Sequence, residues 1–365
     1  MSTAPTLIES RPPPRRSTGA VGWLRQHLFS SPLNALLTVL ALWVLLLALP
    51  ALLDYFWLKP DLAATTAAGC RENGGYCWAL VREKHRLILF GLYPYDEQWR
   101  PLLAAAILVG IIAASCVRRF WRPWLALAWP LALTAVGVLM WGGVAGLTYV
   151  EDSNWGGLPL TLILATFGIG LAFPFGVLLA LGRRSNMPAV KAVCVIYIEL
   201  IRGVPLISLL FMSSVMLPLF LPEGFSIDKL LRAQIALILF TAAYIAEVVR
   251  GGLQAIPKGQ YEGADSLGLT YWQQMRMVIL PQALKVSIPT LVSTFISLFK
   301  DTSLVVIIGI FDLMQAARAA VLDSAWQGFS IDSYIFIAVI YFVFCFSMSR
   351  YSLSLEHHLN QGQQR

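Results

Sequence analysis

Two apolar stretches of the sequence are interrupted by side chains that could bind a small polar solute. In the first, Glu199 and Arg202 stand one helical turn apart. In the second, a pair of opposite charges is followed by two hydroxyls: Lys300, Asp301, Thr302 and Ser303. Charged groups form strong hydrogen bonds with partners of opposite charge, so the second set could hold the ammonium and the carboxylate of a zwitterion. We therefore assign these six residues to a pathway for a small solute.

Both sets would lie deep in a membrane-spanning helix, where a charged group costs about 2.5–3.5 kcal/mol on insertion scales. Pro205 removes a backbone donor, and Gly203 loosens the same turn. The two residues therefore predict a broken helix. Broken helices at this depth are where transporters bind ligands. Two simpler interpretations stay open. Glu199 and Arg202 could neutralise each other at i, i+3, and a residue among 301–303 could cap the N-terminus of a helix.

The composition places the chain among helical membrane proteins. Of its 365 residues, 58% are hydrophobic and 13% are charged, and the mean hydropathy is +0.69. The apolar runs are long and continuous, which favours helices over a β-barrel. The net charge of +7 falls mostly in loops on one side of the predicted membrane. It therefore follows the positive-inside pattern and does not indicate a nucleic-acid partner.

Eight apolar runs are predicted to cross the membrane, and both chain ends are then cytoplasmic. The predicted spans cover residues 33–53, 101–116, 124–147, 157–181, 189–220, 233–249, 286–310 and 334–349. Each is long enough for roughly 30 Å of hydrocarbon, at a rise of about 1.5 Å per residue, or is only slightly shorter. The predicted fold is thus an all-α polytopic membrane protein.

The spans divide the chain into regions. We predict a disordered cytoplasmic tail at residues 1–31, a three-span region at 32–154 with a periplasmic loop at 54–100, a core at 155–352, and a second tail at 353–365. Within the core, a polar loop at 250–281 separates two spans and carries helix signals. Glu247 and Arg250, at i, i+3 beside this loop, are predicted to anchor it or an inner gate.

Gly268 is predicted to divide the loop into two short helices at an angle, with Pro281 starting the next helix. We refer to these two short helices and the turn between them as the elbow. If it is rigid, the elbow could transmit a movement of a partner protein to the membrane-spanning helices. The residues assigned to this coupling surface are Glu262, Gly263, Ala264, Gly268, Leu269 and Tyr271. An ordinary amphipathic cytoplasmic loop is the alternative interpretation.

The loop resembles the E-A-A-x3-G-x9-I-x-L-P signature of ABC importer permeases, with Gly263 and Val278 as departures. Residues 244–262 and 280–284, the Lys300–Leu304 run, and residues 199–206 (ELIRGVPL, with Val204 at a Thr position) resemble the polar amino-acid permeases of that class. The early loop around Cys70 and Cys77 is similar to the larger permease of general L-amino acid importers.

This resemblance implies a type I (MetI-like) five-helix core, extended here by three N-terminal spans, in a bacterial inner membrane. It also implies a dimer of separate ATPase subunits that bind ATP and Mg, a second homologous permease chain, a periplasmic amino-acid-binding protein and an amino acid substrate. The sequence contains no GxxxxGK[ST] phosphate loop. We therefore expect no cofactor in this chain and a transport subunit rather than an enzyme.

Cys70 and Cys77 could form a disulfide if their loop faces an oxidising compartment. The four histidines lack metal-ligand spacing, so no metal is assigned. Three alternatives stay open. The chain could be a secondary transporter, an ABC permease for another solute such as an opine or an osmolyte, or a membrane-embedded enzyme or sensor.

Overall fold

The computed structural model describes residues 19–60, 65–222, 224 and 226–361, and within these ranges the chain is helical and has no strand. This confirms the predicted all-α fold class. The helices are α1 (Gly19–His27), α2 (Pro32–Leu53), α3 (Ala67–Asn73), α4 (Trp78–Phe90), α5 (Trp99–Cys116), α6 (Trp124–Trp141), α7 (Gly157–Arg183), α8 (Pro188–Gly203), α9 (Leu206–Phe211), α10 (Leu217–Phe220), α11 (Lys229–Ala255), α12 (Lys258–Ser266), α13 (Tyr271–Gln274), α14 (Leu280–Asp301), α15 (Leu313–Ala320) and α16 (Ser330–Gln361).

Seven helices or helix runs of the described chain are long and apolar enough to cross a membrane. The remaining predicted span, at residues 189–220, is broken: α8 and the run Leu206–Phe220 meet at an angle of 104°. Val204 is extended between them (φ −103°, ψ 133°), as expected for a residue that precedes a proline. The predicted interruption before Pro205 is therefore confirmed.

The chain divides into two units, residues 1–79 and 80–365. In the described part of the first unit, α2 begins where the Ser31 hydroxyl accepts a hydrogen bond from the Asn34 amide. It continues into a π-helical turn at Asp54–Leu58. Helix α1 lies in the region predicted as a disordered tail, so that prediction is wrong for residues 19–27, while residues 1–18 lie outside the described residues.

The centre of the second unit is the pair α7 and α11, and α14 packs along α11. Small residues allow the close approach of α7 to α11: a Cβ on Gly176 would come within 2.6 Å of the Ile245 side chain. Ala242 and Ala246 of α11 are fully buried in the same cluster. Packing of this kind replaces the hydrophobic effect where lipid surrounds the helices.

The region predicted as a loop at 54–100 is mostly helical, since it contains α3 and α4. In the second unit, α4 is fixed by polar contacts to the turn before α16. The Lys84 ammonium lies 2.8 Å from an Asp323 carboxylate oxygen, and the Trp326 indole donates to Glu83 at 3.0 Å. The hydrogen bond from Lys84 holds the pKa of the Asp323 carboxyl below its ordinary value.

Two predicted helix ends are corrected by the structure. The third span ends at Trp141 rather than near residue 147, because Gly142 and Gly143 adopt positive φ values of 69° and 76° that stop the helix. At the other end of the chain, α16 continues to Gln361 through most of the predicted tail. Residues 353–361 contain no glycine or proline to end it.

The polar loop forms the predicted elbow. Helices α12 and α13 are separated by Gly268, whose φ of 69° is readily adopted only by glycine. A capping box of Thr270 and Gln273 starts α13. Pro281 does not begin a separate helix as predicted. The helical run continues from α13 through a π-helical turn at Met275–Ile279 into α14, with Pro281 in the first turn of that helix.

Candidate functional site

A cavity of about 310 Å³ lies between α11 and α14, and most of the residues that line it carry a hydroxyl group. Its lining residues are Phe240, Thr241 and Tyr244 of α11, and Thr290, Ser293, Thr294, Ser297, Leu298 and Asp301 of α14. The polar residues of α14 recur every three or four positions, so they share one helix face. This face places several polar side chains in an otherwise largely apolar cavity between two of the predicted spans.

Two hydroxyls of this cavity are oriented as acceptors. Ser293 donates to the carbonyl of Pro289 at 3.1 Å, and Thr294 donates to the carbonyl of Thr290 at 3.0 Å. Once its proton is used in this way, each oxygen retains lone pairs for another group. With the Asp301 carboxylate in the same lining, the cavity favours a ligand that carries several hydrogen-bond donors and a positive charge, such as an ammonium.

Arg202 lies beside the opposite end of the cavity from Asp301. The Ser287 hydroxyl donates to the Val248 carbonyl at 3.4 Å, so Tyr244, one turn from Val248, lies near the level of Thr290. The Arg202 guanidinium carbon lies 5.6 Å from the centre of the Tyr244 ring. Eleven residues separate Thr290 from Asp301, which is about 16 Å along a helix. One amino acid therefore does not reach both charges at once.

The four residues predicted to act together at 300–303 do not converge. Lys300 and Ser303 line a different cavity of about 490 Å³, between the end of α14 and α16. Thr302 is fully buried, and its hydroxyl donates to the Phe299 carbonyl at 2.8 Å. Ser303 donates to the Lys300 carbonyl at 2.7 Å. Only Asp301 among them faces the hydroxyl-lined cavity.

The capping interpretation of residues 301–303 is wrong. Asp301 is the last residue of α14, and the chain continues directly into a 3₁₀ helix at Thr302–Ile308 without a side-chain cap. The hydroxyls of Thr302 and Ser303 bond to carbonyls three residues earlier instead. The change from α to 3₁₀ geometry occurs beside Lys300, where the sequence predicted an interruption.

Glu247 is the centre of an ion cluster formed by α7, α8 and α11. It accepts hydrogen bonds from Arg250 (Nε to Oε2, 2.9 Å) and from Arg183 (Nη1 to Oε2, 3.3 Å), and Arg202 Nη1 lies 3.8 Å away. The Arg202 Nε atom is buried and has no hydrogen-bond partner in the described structure. Glu247 and Arg250, which were predicted to anchor the loop or an inner gate, therefore belong to a larger set of charges.

Glu199 and Arg202 do not neutralise each other, so that interpretation is also wrong. Arg183 Nη2 lies 2.8 Å from Glu199 Oε1, whereas Arg202 turns to Glu247 and Tyr244. Arg183 therefore bridges Glu199 of α8 and Glu247 of α11. We refer to Arg183, Glu199, Arg202, Glu247 and Arg250 as the Glu247 cluster.

The elbow is held against the end of α7. Arg184 Nη1 donates to the Leu253 carbonyl at 2.9 Å and to the Tyr261 hydroxyl at 3.0 Å. The Tyr261 hydroxyl donates to the same carbonyl at 3.1 Å. Gln274 of α13 is buried and donates to the Tyr261 carbonyl at 2.9 Å. These bonds fix α12 to α13 and to the adjoining helix ends.

The outer surface of the elbow is apolar as well as polar. Glu262, Gly263 and Gly268 are exposed, Leu269 is half-buried, and Ala264 is buried against the rest of the chain. Leu267 is 79% exposed, Trp272 67% and Tyr271 49%. Exposed large apolar side chains in a polar loop are typical of a contact surface for another protein. We refer to Leu267, Tyr271 and Trp272 as the elbow surface.

In the first unit, Cys70 and Cys77 are joined by a disulfide and both are buried. The disulfide links the middle of α3 to the residue before α4. Among the described residues, no group of three or more His, Cys, Asp or Glu side chains is arranged to hold a metal ion.

The sequence interpretation missed several of the residues that form the site. The polar residues of α14 from Thr290 to Ser297 could have been found, since they recur at helical spacing along an apolar span. Leu267 and Trp272 stand inside the quoted loop motif, yet only their exposure marks them as a surface. Arg183 and Arg184 read as ordinary basic residues at the end of a span, and their contacts depend on the tertiary structure.

Comparison with known proteins adds to this geometry. Residues 172–360 match the model of the family described as "Binding-protein-dependent transport system inner membrane component". The matched residues include the hydroxyl-lined cavity, the Glu247 cluster and the elbow. The chain is 51% identical over 363 residues to the "Inner membrane amino-acid ABC transporter permease protein YhdY" of Escherichia coli (strain K12), which covers 97% of this chain and 96% of that protein.

A second relative is the "Glutamate/glutamine/aspartate/asparagine transport system permease protein BztC" of Rhodobacter capsulatus. It is 40% identical over 421 residues, and the alignment covers 97% of each chain. Among solved structures, a "Crystal structure of an amino acid ABC transporter with histidines" is 35% identical, with a TM-score of 0.49, and covers 55% of this chain and 90% of that chain.

Proposed function

We propose that this chain, which belongs to the family of binding-protein-dependent transport system inner membrane components, is the permease subunit of an ATP-driven importer of amino acids. The relative from Escherichia coli, aligned over nearly the whole chain, is named an amino-acid ABC transporter permease. The single structural observation that supports the proposal is the hydroxyl-lined cavity with Asp301 in its wall. It offers an ammonium group a carboxylate and several oxygen acceptors.

The substrate would bind through its ammonium at Asp301, with the acceptor oxygens of Ser293 and Thr294 further along the same helix face. Arg202, about three turns away, would meet the substrate carboxylate at a later stage of passage. Its buried Nε atom lacks a partner, which leaves one donor for such a ligand. If the ammonium and the carboxylate of the substrate bind in succession, the substrate does not need to reach Asp301 and Arg202 at the same time.

Coupling to ATP hydrolysis is assigned to the elbow. The sequence has no phosphate loop, so ATP and Mg would bind to two separate ATPase subunits, which receive the elbow surface in a groove. A second homologous permease chain would complete the path, and a periplasmic binding protein would deliver the amino acid. The helices then alternate between outward-open and inward-open arrangements about the cavity.

In this arrangement the chain lies in the bacterial inner membrane with both termini in the cytoplasm. The basic residues after α5 and at the end of α7 are then on the cytoplasmic side, which the positive-inside rule favours. The elbow is cytoplasmic, and the disulfide between Cys70 and Cys77 is periplasmic, where disulfides persist.

Reconstitution of the chain with its ATPase, permease and binding-protein partners in proteoliposomes tests the proposal. We expect uptake of labelled amino acids that requires both ATP and the binding protein, with glutamate, glutamine, aspartate and asparagine in the first panel of substrates. A complex loaded with a non-hydrolysable ATP analogue is the control. Uptake by this chain alone, driven by an ion gradient, would identify a secondary transporter. Uptake of an opine or osmolyte in place of every amino acid would overturn the substrate class.

A further inference from the structure

Two adjacent arginines at the end of α7 reach in different directions. Arg183, the last residue of the helix, contacts the Glu247 cluster, and Arg184 contacts the elbow. Arg183 is 21% exposed at its side chain, and both residues belong to one helix end. A movement that displaces one of these arginines therefore also displaces the other.

Arg184 fills a gap in the backbone hydrogen bonding of α11. The Leu253 carbonyl would normally accept from the amide four residues later, but that residue is Pro257, which has no N–H. Arg184 and the Tyr261 hydroxyl donate to this carbonyl instead, at 2.9 and 3.1 Å. The guanidinium also lies over the Tyr261 ring, 5.5 Å from its centre. Tyr261 belongs to α12, so this contact joins the elbow to the end of α7.

Arg183 contacts two of the membrane-spanning helices, α8 and α11. It bridges Glu199 at 2.8 Å and Glu247 at 3.3 Å. Glu247 in turn faces Arg202, which stacks on Tyr244 in the cavity wall. The separation of 3.8 Å between Arg202 and Glu247 is the longest ion pair of the cluster. It is therefore the contact most readily exchanged for another partner.

We propose that Arg183 and Arg184 are positioning residues that transmit movement of α12 to the Glu247 cluster at the Thr290 end of the cavity. The proposal rests on the proposed function, in which ATPase subunits move the elbow. A displacement of α12 pulls on Arg184 through Tyr261 and shifts the end of α7, which changes the bridge that Arg183 makes. Glu247 is then repositioned against Arg202, and the cavity is opened or closed at that end. The Glu247 cluster would then have two discrete arrangements, and both the elbow and the cavity would change the equilibrium between them. Coupling between two sites requires such an element.

The test uses the complete reconstituted transporter and two conservative substitutions. Tyr261→Phe removes one hydroxyl from the elbow contact, and Arg183→Gln removes the charge that bridges Glu199 and Glu247. We expect both variants to copurify with the ATPase subunits and to hydrolyse ATP, while the amount of amino acid imported per ATP falls at least fivefold. Lys191→Gln, which removes an exposed charge from α8, is the matched control and keeps the wild-type ratio.

The double variant distinguishes a linkage from two separate effects. If both residues act in one chain of contacts, Tyr261→Phe with Arg183→Gln lowers the import ratio no further than the more severe single variant. Multiplied losses, a wild-type ratio in both single variants, or loss of assembly in both would each overturn the proposal. Failure of the proposed function would appear differently, as a wild-type complex that lacks ATPase subunits or does not import amino acids.

Discussion

Asp301 and Tyr244 line the same cavity from two different helices, α14 and α11, and stand near its opposite ends. In the proposed function, the carboxylate of Asp301 therefore meets a ligand at one end. The ring of Tyr244 carries Arg202 at the other. Between them, the oxygens of Ser293 and Thr294 have their protons engaged by backbone carbonyls. This separation of charge along one polar wall suits stepwise passage of a zwitterion better than a single tight site.

Asp301→Asn should reduce amino acid uptake at least tenfold, because the substitution removes the negative charge that we propose binds the substrate ammonium. A hydrogen bond to a charged group contributes about 1.5–3 kcal/mol, and about 1.4 kcal/mol corresponds to a factor of ten. Initial rates of labelled amino acid uptake in proteoliposomes provide the measurement, with copurified partners as the check on assembly. Asp96→Asn, at an exposed position before α5, is the matched control. Wild-type uptake by the Asp301 variant would remove this residue from the site.

Leu267→Asp should weaken the association with the ATPase subunits, because it places a charge in the most exposed apolar residue of the elbow surface. Burying an unpaired carboxylate at an interface is costly, so we expect at least a tenfold loss of copurified ATPase from solubilised membranes. Leu322→Asp changes a leucine of similar exposure (67%) between α15 and α16 and serves as the control. If Leu267→Asp retained the full amount of ATPase, the elbow surface would not be the docking site.

Gly268→Trp should disturb the same interface through the backbone. The φ of 69° at Gly268 costs a residue with a side chain about 1–2 kcal/mol, so the angle between α12 and α13 should change. We expect normal insertion of the protein but loss of ATP-dependent uptake, measured beside Gly251→Ala. Gly251 has no positive φ, and a methyl group added there would meet open space, so this control should transport normally. Full transport by the Gly268 variant would contradict a rigid elbow.

Local patterns in the sequence were enough to predict the helical spans, the break before Pro205 and the turn at Gly268. Each depends on residues a few positions apart, and proline and glycine act on the backbone regardless of what surrounds them. The ends of α6 and α16 were less accurate. There, two consecutive glycines stopped one helix early, and a polar segment without breakers extended the other.

The partners of charged residues were not predictable in the same way. Lys300 and Asp301 are adjacent in sequence, but successive residues of a helix point about 100° apart, so they line different cavities. Glu199 has a cation three residues away and nevertheless bonds to Arg183, because the turn between α7 and α8 brings that residue closer. Tertiary packing, which a local pattern does not contain, decides between such alternatives.

The disulfide between Cys70 and Cys77 should be present in protein purified without reductant. Peptide mapping under non-reducing conditions should recover the two cysteines in one linked species, while Cys116, Cys194 and Cys345 react as free thiols after unfolding. Replacing both cysteines of the disulfide with serine should lower the unfolding free energy of this region by about 2–3 kcal/mol, since a short loop is no longer closed in the unfolded chain. Cys345→Ala is the control. Alkylation of Cys70 and Cys77 in unreduced protein would contradict the bond.

Asp312 should make the thermal stability of the protein depend on pH. Its side chain is fully buried at the start of α15 and accepts hydrogen bonds from the amides of Met314 and Gln315 at 3.1 and 3.0 Å. Burial raises the pKa of this carboxyl to about 6, against the opposing effect of the backbone hydrogen bonds. Because the pKa is higher in the folded than in the unfolded chain, where it is about 3.9, the folded state binds the proton more tightly. The corresponding stability is fully present below about pH 4 and is lost as the pH rises through about 6.

Asp312→Asn retains a capping oxygen and removes the titrating group, so it should flatten this dependence. A shift of about two pKa units corresponds to about 3 kcal/mol, which is several degrees of Tm for a domain of moderate size. Tryptophan fluorescence during thermal unfolding in detergent, at intervals between pH 4 and 7.5, gives the apparent Tm of each variant. We expect the Asn variant to be more stable than the wild type at pH 7 and to lose that advantage near pH 4, whereas Asp96→Asn follows the wild type throughout. An unchanged pH slope in Asp312→Asn would mean that other groups account for the dependence.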